Sequence, residues 1–259
     1  MADRALILTY HGIEASPGPL WIDPALFAAQ LDCLRDCGAT TMTLGDLANG
    51  LAAGTLPPRA VAITFDDGLQ SVVEVAAPQL VERDMRATIF CVAGRLGYDN
   101  RWPTEPDGAT RRPLAAAGAL RELVAAGFEI GAHGMQHLPL RTASAEQLTH
   151  EIIDSKNVLE EELGARVSSF AYPYGAMPGP AGRAIVGSTY GWACTTRPEY
   201  VSTRAERSQL PRVDIHYLRR LGLLRRAVSG TLEGYIGFRR RAAWVRRLAV
   251  KDYVPQVPA

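Results

Sequence analysis

Short runs rich in Val, Ile, Thr and Phe alternate with longer segments of helical period along most of this chain, and that alternation limits the fold more than any other feature. The β-prone runs fall at residues 5–10, 40–44, 61–65, 87–92, 128–132, 167–172 and 190–195, with a weaker one at 210–215. Helical segments are expected at 24–37, 71–83, 115–126, 145–163 and 180–187. Several carry boundary signals: Asp23-Pro24 offers an N-cap and a first-turn proline, and Ser144 precedes Glu146 and Gln147. Repeated strand–helix units argue for a parallel sheet, and seven or eight of them favour a closed (β/α) barrel over an open sheet. The segment 97–113 is too polar for a core and reads as a long surface loop.

Composition bears on this reading in two places. Apolar residues make up 47% of the 259 residues and charged residues 21%, which excludes a disordered chain and suffices for one large core. The net charge of +1 hides an asymmetry: from Glu206 onward there are 12 Lys/Arg against 4 Asp/Glu, and the first 205 residues are correspondingly acidic. Cys33, Cys37, Cys91 and Cys194 form no C-x-x-C pair and read as core thiols that need no oxidising compartment. The start of the chain has no long apolar h-region, and no uncharged stretch approaches the roughly 20 residues needed to cross a bilayer. A cytoplasmic protein is expected, at the inner face of the membrane if the basic tail engages lipid.

In a barrel of parallel strands the chemistry gathers at the C-terminal strand ends. Those ends carry Tyr10-His11-Gly12, Asp66-Asp67-Gly68, His133-Gly134-Met135-Gln136-His137, Tyr172-Pro173-Tyr174-Gly175 and Asp214-Ile215-His216, so that four of the five histidines cluster there and only His150 lies elsewhere. Adjacent carboxylates at a strand end raise one another's pKa unless a cation is present. A metal resolves this, with one Asp as ligand and the other free to take a proton from the attacking water. Read alone, Asp-Asp-Gly is better explained as a turn, with Gly supplying positive φ. His133 and His137 can close on one ion if the backbone between them turns; the alternative is a pair of capping or solvated imidazoles. Two His and one carboxylate leave an open coordination face, as catalytic sites do.

These residues resemble the polysaccharide deacetylase (NodB-homology, carbohydrate esterase family 4) domain. Thr64-Phe65-Asp66-Asp67-Gly68, His133 to His137 and Phe170 to Gly175 look like its first three motifs. Leu8-Thr9-Tyr10-His11-Gly12-Ile13, Ala87-Thr88-Ile89-Phe90, Glu151-Ile152-Ile153-Asp154-Ser155-Lys156 and Leu210-Pro211-Arg212-Val213 match supporting stretches. The resemblance implies a distorted (β/α) barrel of about seven strands over residues 1–215; beyond it the arginines thicken, and an Arg-rich helical extension is expected at 216–259. It implies Asp66 as general base and Asp67, His133 and His137 as ligands of one divalent metal. Zinc is expected first, with cobalt, nickel or iron as alternatives. The backbone N–H of Tyr174 would help hold the oxyanion. Two departures stand out. The slot that often holds a base-orienting Arg in the third motif is Ala171, and Arg212 could supply that guanidinium from another strand. The His that protonates the leaving amine has no close match: His216 is the positional candidate and His11 its rival.

The resemblance implies a metal-dependent deacetylase that hydrolyses the amide of an N-acetylated amino sugar in a glycan or in a nucleotide- or lipid-linked precursor. A deformylase or cyclic-amide hydrolase of the same fold, and a catalytically inactive carbohydrate-binding or scaffold protein, are the alternatives. In the tail, Arg239, Arg240, Arg246 and Arg247 fall on one side of a helical projection and Phe238, Trp244, Val245 and Leu248 on the other. Such a helix suits either an anionic lipid surface or an apolar seat on the barrel. No recognition motif for nucleic acid accompanies the charge.

Overall fold

The six residues of strand β1 that follow Arg4 (β1, Arg4–Tyr10) are all buried, as expected of a strand covered on both faces. In the computed structural model, which describes residues 4–104 and 110–249 and the side chains as far as residue 242, β1 is central. The remaining strands are β2 (Gly12–Ile13), β3 (Trp21–Ile22), β4 (Thr40–Met42), β5 (Ala60–Phe65), β6 (Thr88–Cys91), β7 (Glu129–Ala132), β8 (Ser169–Ala171), β9 (Trp192–Cys194), β10 (Val201–Ser202) and β11 (Val213–Asp214). The main sheet runs β10-β1-β5-β6-β7-β8-β9, with β11 also beside β1 and β4 beside β5. All its pairings are parallel except that of β10 with β1.

The sheet curls and closes through a single short stretch of chain. Leu210 bridges to Cys194 at the end of β9, and three residues later Val213 pairs with Leu8 of β1. Residues 210–214 therefore join the two open sides of the sheet, giving a distorted barrel whose ring is the seven parallel strands β1, β5, β6, β7, β8, β9 and β11, with β4 and β10 at its margin. The distortion is also visible at β5, whose first half pairs with β4 and whose last two residues pair with β6.

The helices are α1 (Pro24–Asp36), α2 (Leu44–Ala53), α3 (Ala77–Glu82), α4 (Ala117–Ala125), α5 (Ala145–Thr149), α6 (Ser155–Leu163), α7 (Pro180–Thr189), α8 (Leu221–Val228) and α9 (Glu233–Ala249). Asp23 caps α1 by accepting the amides of Ala25 and Leu26, and Ser144 forms a capping box with Gln147 on α5. Two expected helices contain a π-turn: Val72–Ala76 leads into α3, and His150–Asp154 joins α5 to α6. Helix α2 is not foreseen from the strand-like run at 40–44. Thr43 ends that run and turns it into a helix by capping the Asp46 amide.

The basic extension packs on the barrel. Leu224, Ala227 and Val228 of α8, with Leu232 and Ile236, join the same core cluster as Leu6, Leu8 and Val213. Arg239 lies 4.1 Å over the Tyr217 ring, Arg240 pairs with Glu199 at 2.8 Å, and Glu233 pairs with Arg4. Phe238 is 63% exposed. Two of the arginines projected as a lipid-facing stripe are thus engaged with the protein, while the side chains of Trp244, Val245, Arg246, Arg247 and Leu248 lie outside the described residues. Among the described residues, no helix is long and apolar enough to cross a membrane.

This packing gives a stability prediction. Leu224→Ala should cost about 2–5 kcal/mol in denaturant unfolding, and Phe238→Ala should stay within about 0.5 kcal/mol. Equal small effects at both positions would mean that the extension is not part of the core.

Candidate active site

Four strand ends bring the site together. Asp66 and Asp67 follow β5, and His133 follows β7. The tight turn Pro173–Gly175 follows β8, and Arg212 precedes β11 on the closing stretch. Tight backbone hydrogen bonds continue past the strands and fix these ends. The Asp66 amide donates to the Tyr10 carbonyl at 3.0 Å and the His133 amide to the Cys91 carbonyl at 2.8 Å. Asp67, His137 and Tyr174 all have positive φ (72°, 61° and 57°), a conformation that L-residues avoid. Such strain gathers where surrounding structure holds functional side chains in place.

Asp67, His133 and His137 form the one cluster of three ligand-type side chains found among the described residues, with their donor atoms within 4.8 Å of one another. Asp67 Oδ1 lies 3.6 Å from His133 Nε2 and 3.4 Å from His137 Nε2. Those separations exceed ordinary hydrogen bonds. They match the roughly 3.3 Å expected between ligands about 2.0–2.1 Å from a shared tetrahedral zinc. The Ala171 carbonyl sits 2.8 Å from His133 Nδ1, which puts the proton there and leaves the Nε2 lone pair facing Asp67. Burial pushes His133 down to about 4, so its ring is in the neutral, ligating form at neutral pH. Burial works to raise the Asp67 carboxyl, but the neighbouring His137, His11 and His133 outweigh it and hold Asp67 well below the usual carboxylate range. The donor set therefore fits a divalent metal.

Asp66 stands beside this cluster with a different partner. Arg212 is 1% exposed and grips both its oxygens, Nη1 to Oδ1 at 2.6 Å and Nη2 to Oδ2 at 2.7 Å. The guanidinium also donates to the Thr64 hydroxyl at 3.2 Å and the Thr195 carbonyl at 3.1 Å, so its orientation is fixed. Burial raises the Asp66 carboxyl, but the charge and hydrogen bonds of Arg212, together with His133 and His11, outweigh it, and the net direction is downward. Arg212 thus brings to Asp66, from the closing stretch, a guanidinium that Ala171 cannot supply.

Sequence profiles bear directly on this constellation: that of the polysaccharide deacetylases matches residues 53–186, just over half the chain. The chain belongs to the polysaccharide deacetylase family. YxkH of Bacillus subtilis strain 168, named as a polysaccharide deacetylase, is 28% identical over 193 residues, covering 74% of this chain and 64% of its own. A poly-β-1,6-N-acetyl-D-glucosamine N-deacetylase of Staphylococcus aureus is 26% identical over 165 residues, 60% of this chain and 54% of that one. The chain thus spans less than two thirds of either relative. The Streptococcus pyogenes deacetylase PplD, solved with acetate, superposes with a TM-score of 0.71 at 26% identity over 82% of this chain and 92% of that one.

The other expected residues of this deacetylase-family chain divide. Tyr174 joins the cluster, its ring 4.4 Å from that of His137 and its hydroxyl 2.8 Å from Thr104 Oγ1. His11, half-buried where β1 ends, is among the groups that lower both Asp66 and Asp67. His216 lies on the turn Ile215–Leu218 with its ring exposed and 5.9 Å from that of Tyr217. Trp102 was not foreseen. The segment 97–113 is not wholly a surface loop, because it tucks this indole, 4% exposed, against His137 with ring centroids 4.5 Å apart. A lone tryptophan in a polar stretch was its only signal.

Arg212→Met should leave Asp66 buried without its counter-charge and destabilise the fold by about 3–5 kcal/mol. The folded pKa of Asp66 lies below its unfolded value of about 3.9. The pair therefore contributes fully above that pH, and its contribution fades as pH falls through the folded pKa. In activity, Arg212→Met should move the acid limb of the pH–rate profile to higher pH, because the base loses the charge that keeps it ionised. An unmoved acid limb in a folded Arg212→Met protein would separate Arg212 from the base.

Proposed function

We propose that this protein is a metal-dependent N-deacetylase that hydrolyses the acetamide of an N-acetylated amino sugar in a glycan or glycan precursor. The single observation that carries the reading is the juxtaposition of a ligand triad, Asp67, His133 and His137, with a second carboxylate, Asp66, held ionised by Arg212. The named activity of the Staphylococcus aureus relative supports an N-acetylglucosamine polymer as the substrate class.

Asp67, His133 and His137 would hold the metal. When bound, a divalent cation supplies Lewis acidity, lowering the pKa of water and polarising the amide carbonyl. Asp66 accepts the proton of the attacking water, and Arg212 keeps both carboxylate oxygens in place to do so. The Tyr174 amide, carried on a turn of fixed positive φ, donates to the oxygen on which charge develops. His11, half-buried and next to Tyr10, whose carbonyl accepts the Asp66 amide, delivers a proton to the departing nitrogen in preference to the exposed His216. Acetate and a free amine leave.

Acetate release from β-linked N-acetylglucosamine oligomers, compared with nucleotide- and lipid-linked N-acetylglucosamine and with an N-formyl substrate, tests the reading. Asp66→Asn should retain zinc and lose about 10²-fold or more in turnover, whereas His133→Ala should lose zinc and turnover together. His11→Ala should slow turnover far more than His216→Ala. A fully active Asp66→Asn protein would sink the mechanism, and formate release without acetate would replace the substrate.

A further inference from the structure

One buried carboxylate near the site takes no part in the steps above. Glu151 lies in the π-turn His150–Asp154 between α5 and α6, and its side chain is fully buried. Its oxygens accept three backbone amides from the loop that begins at His133. Oε1 takes Gln136 at 2.9 Å, and Oε2 takes Met135 at 3.1 Å and Leu138 at 3.3 Å. These amides surround His137 on both sides along the chain. Burial raises the Glu151 carboxyl and these three amides work against it by favouring the ionised form. Gly134 permits the approach: a Cβ there would collide with Oε2, and its φ of 84° disfavours any other residue.

From this geometry we infer that Glu151 is a positioning residue of the metal centre, setting the shape of the His133–His137 loop by gathering its amides onto one carboxylate. The inference rests on the metal reading given above. His137 sits at a φ of 61°, a strained conformation for a residue with a side chain, and such a conformation persists only when its surroundings impose it. Glu151 imposes it from outside the loop, as an anion seated in a concave set of N–H groups.

A comparison carboxylate exists within the same fold. Glu129, at the opposite end of β7 from His133, also takes three donors: the Gly45 amide at 2.8 Å, the Thr88 hydroxyl at 2.8 Å and the Ser169 hydroxyl at 2.7 Å. It matches Glu151 as a structural group but does not touch the metal loop.

The test is zinc affinity of the full chain. Chelator-stripped wild type, Glu151→Gln, Gly134→Ala and Glu129→Gln would be titrated with zinc against a chromophoric chelator, with thermal unfolding of each metal-free protein alongside. Glu151→Gln turns one acceptor into a donor facing amides, and should weaken zinc binding about tenfold or more. Gly134→Ala, which displaces the carboxylate from the loop side, should do the same and serves if Glu151→Gln does not fold. Glu129→Gln should bind zinc within about twofold of wild type even where its unfolding midpoint falls as far. In cobalt-loaded protein, the visible spectrum should change for Glu151→Gln and not for Glu129→Gln. Wild-type affinity in both loop variants, or an equal loss in Glu129→Gln, would overturn the inference. Wild type that takes up no zinc would overturn the metal reading and this inference with it.

Discussion

The two hydrogen bonds between Arg212 and Asp66 link closure of the barrel to its chemistry. A guanidinium and a carboxylate removed from water each carry a large desolvation cost, and only a well-formed pair with its other donors satisfied offsets it. Here the remaining donors reach Thr64 and Thr195, so the pair spans β5, the end of β9 and the closing stretch 210–214. The strand that completes the barrel is also the strand that orients the carboxylate beside the ligand triad.

Around that pair, strain and support alternate. Asp67, His137 and Tyr174 occupy backbone conformations that cost free energy, and each sits on a turn tied to something rigid. His137 packs against the rings of Trp102 and Tyr174, and its loop is hydrogen-bonded to Glu151. His133 needs less help, because it continues directly from β7 and its far nitrogen meets the Ala171 carbonyl. The ligand that leaves the strand farthest behind is the one with the most supporting contacts.

Much of this was legible in the sequence, for a physical reason. Strand ends of a parallel barrel converge, so Asp66, Asp67, His133 and Tyr174 could be placed together from periodicity and motif alone. Arg212 could be nominated because a neighbouring strand end is within reach of a long side chain. Glu151 could not be given its task, since it recognises backbone amides, which leave no mark on residue identity beyond the glycine at 134. Helix α2 was hidden by an apolar run that looks equally like a strand until Thr43 caps it. The extension was ambiguous because an amphipathic pattern serves a lipid surface and a protein groove alike. Tyr235, Ile236, Arg239 and Arg240 choose the groove through contacts with Tyr217, the core and Glu199.

The separation of Asp66 and Arg212 along the chain, 146 residues, has a bearing on synthesis. As the chain leaves the ribosome, the first five parallel strands of the barrel, with their aspartates and histidines, emerge long before the arginine that neutralises Asp66. Until then the sheet lacks the stretch that joins its two sides, and Asp66 lacks its counter-charge. The Asp66–Arg212 pair can therefore form only after the segment that closes the sheet has been made, however much of the earlier strands has folded by then.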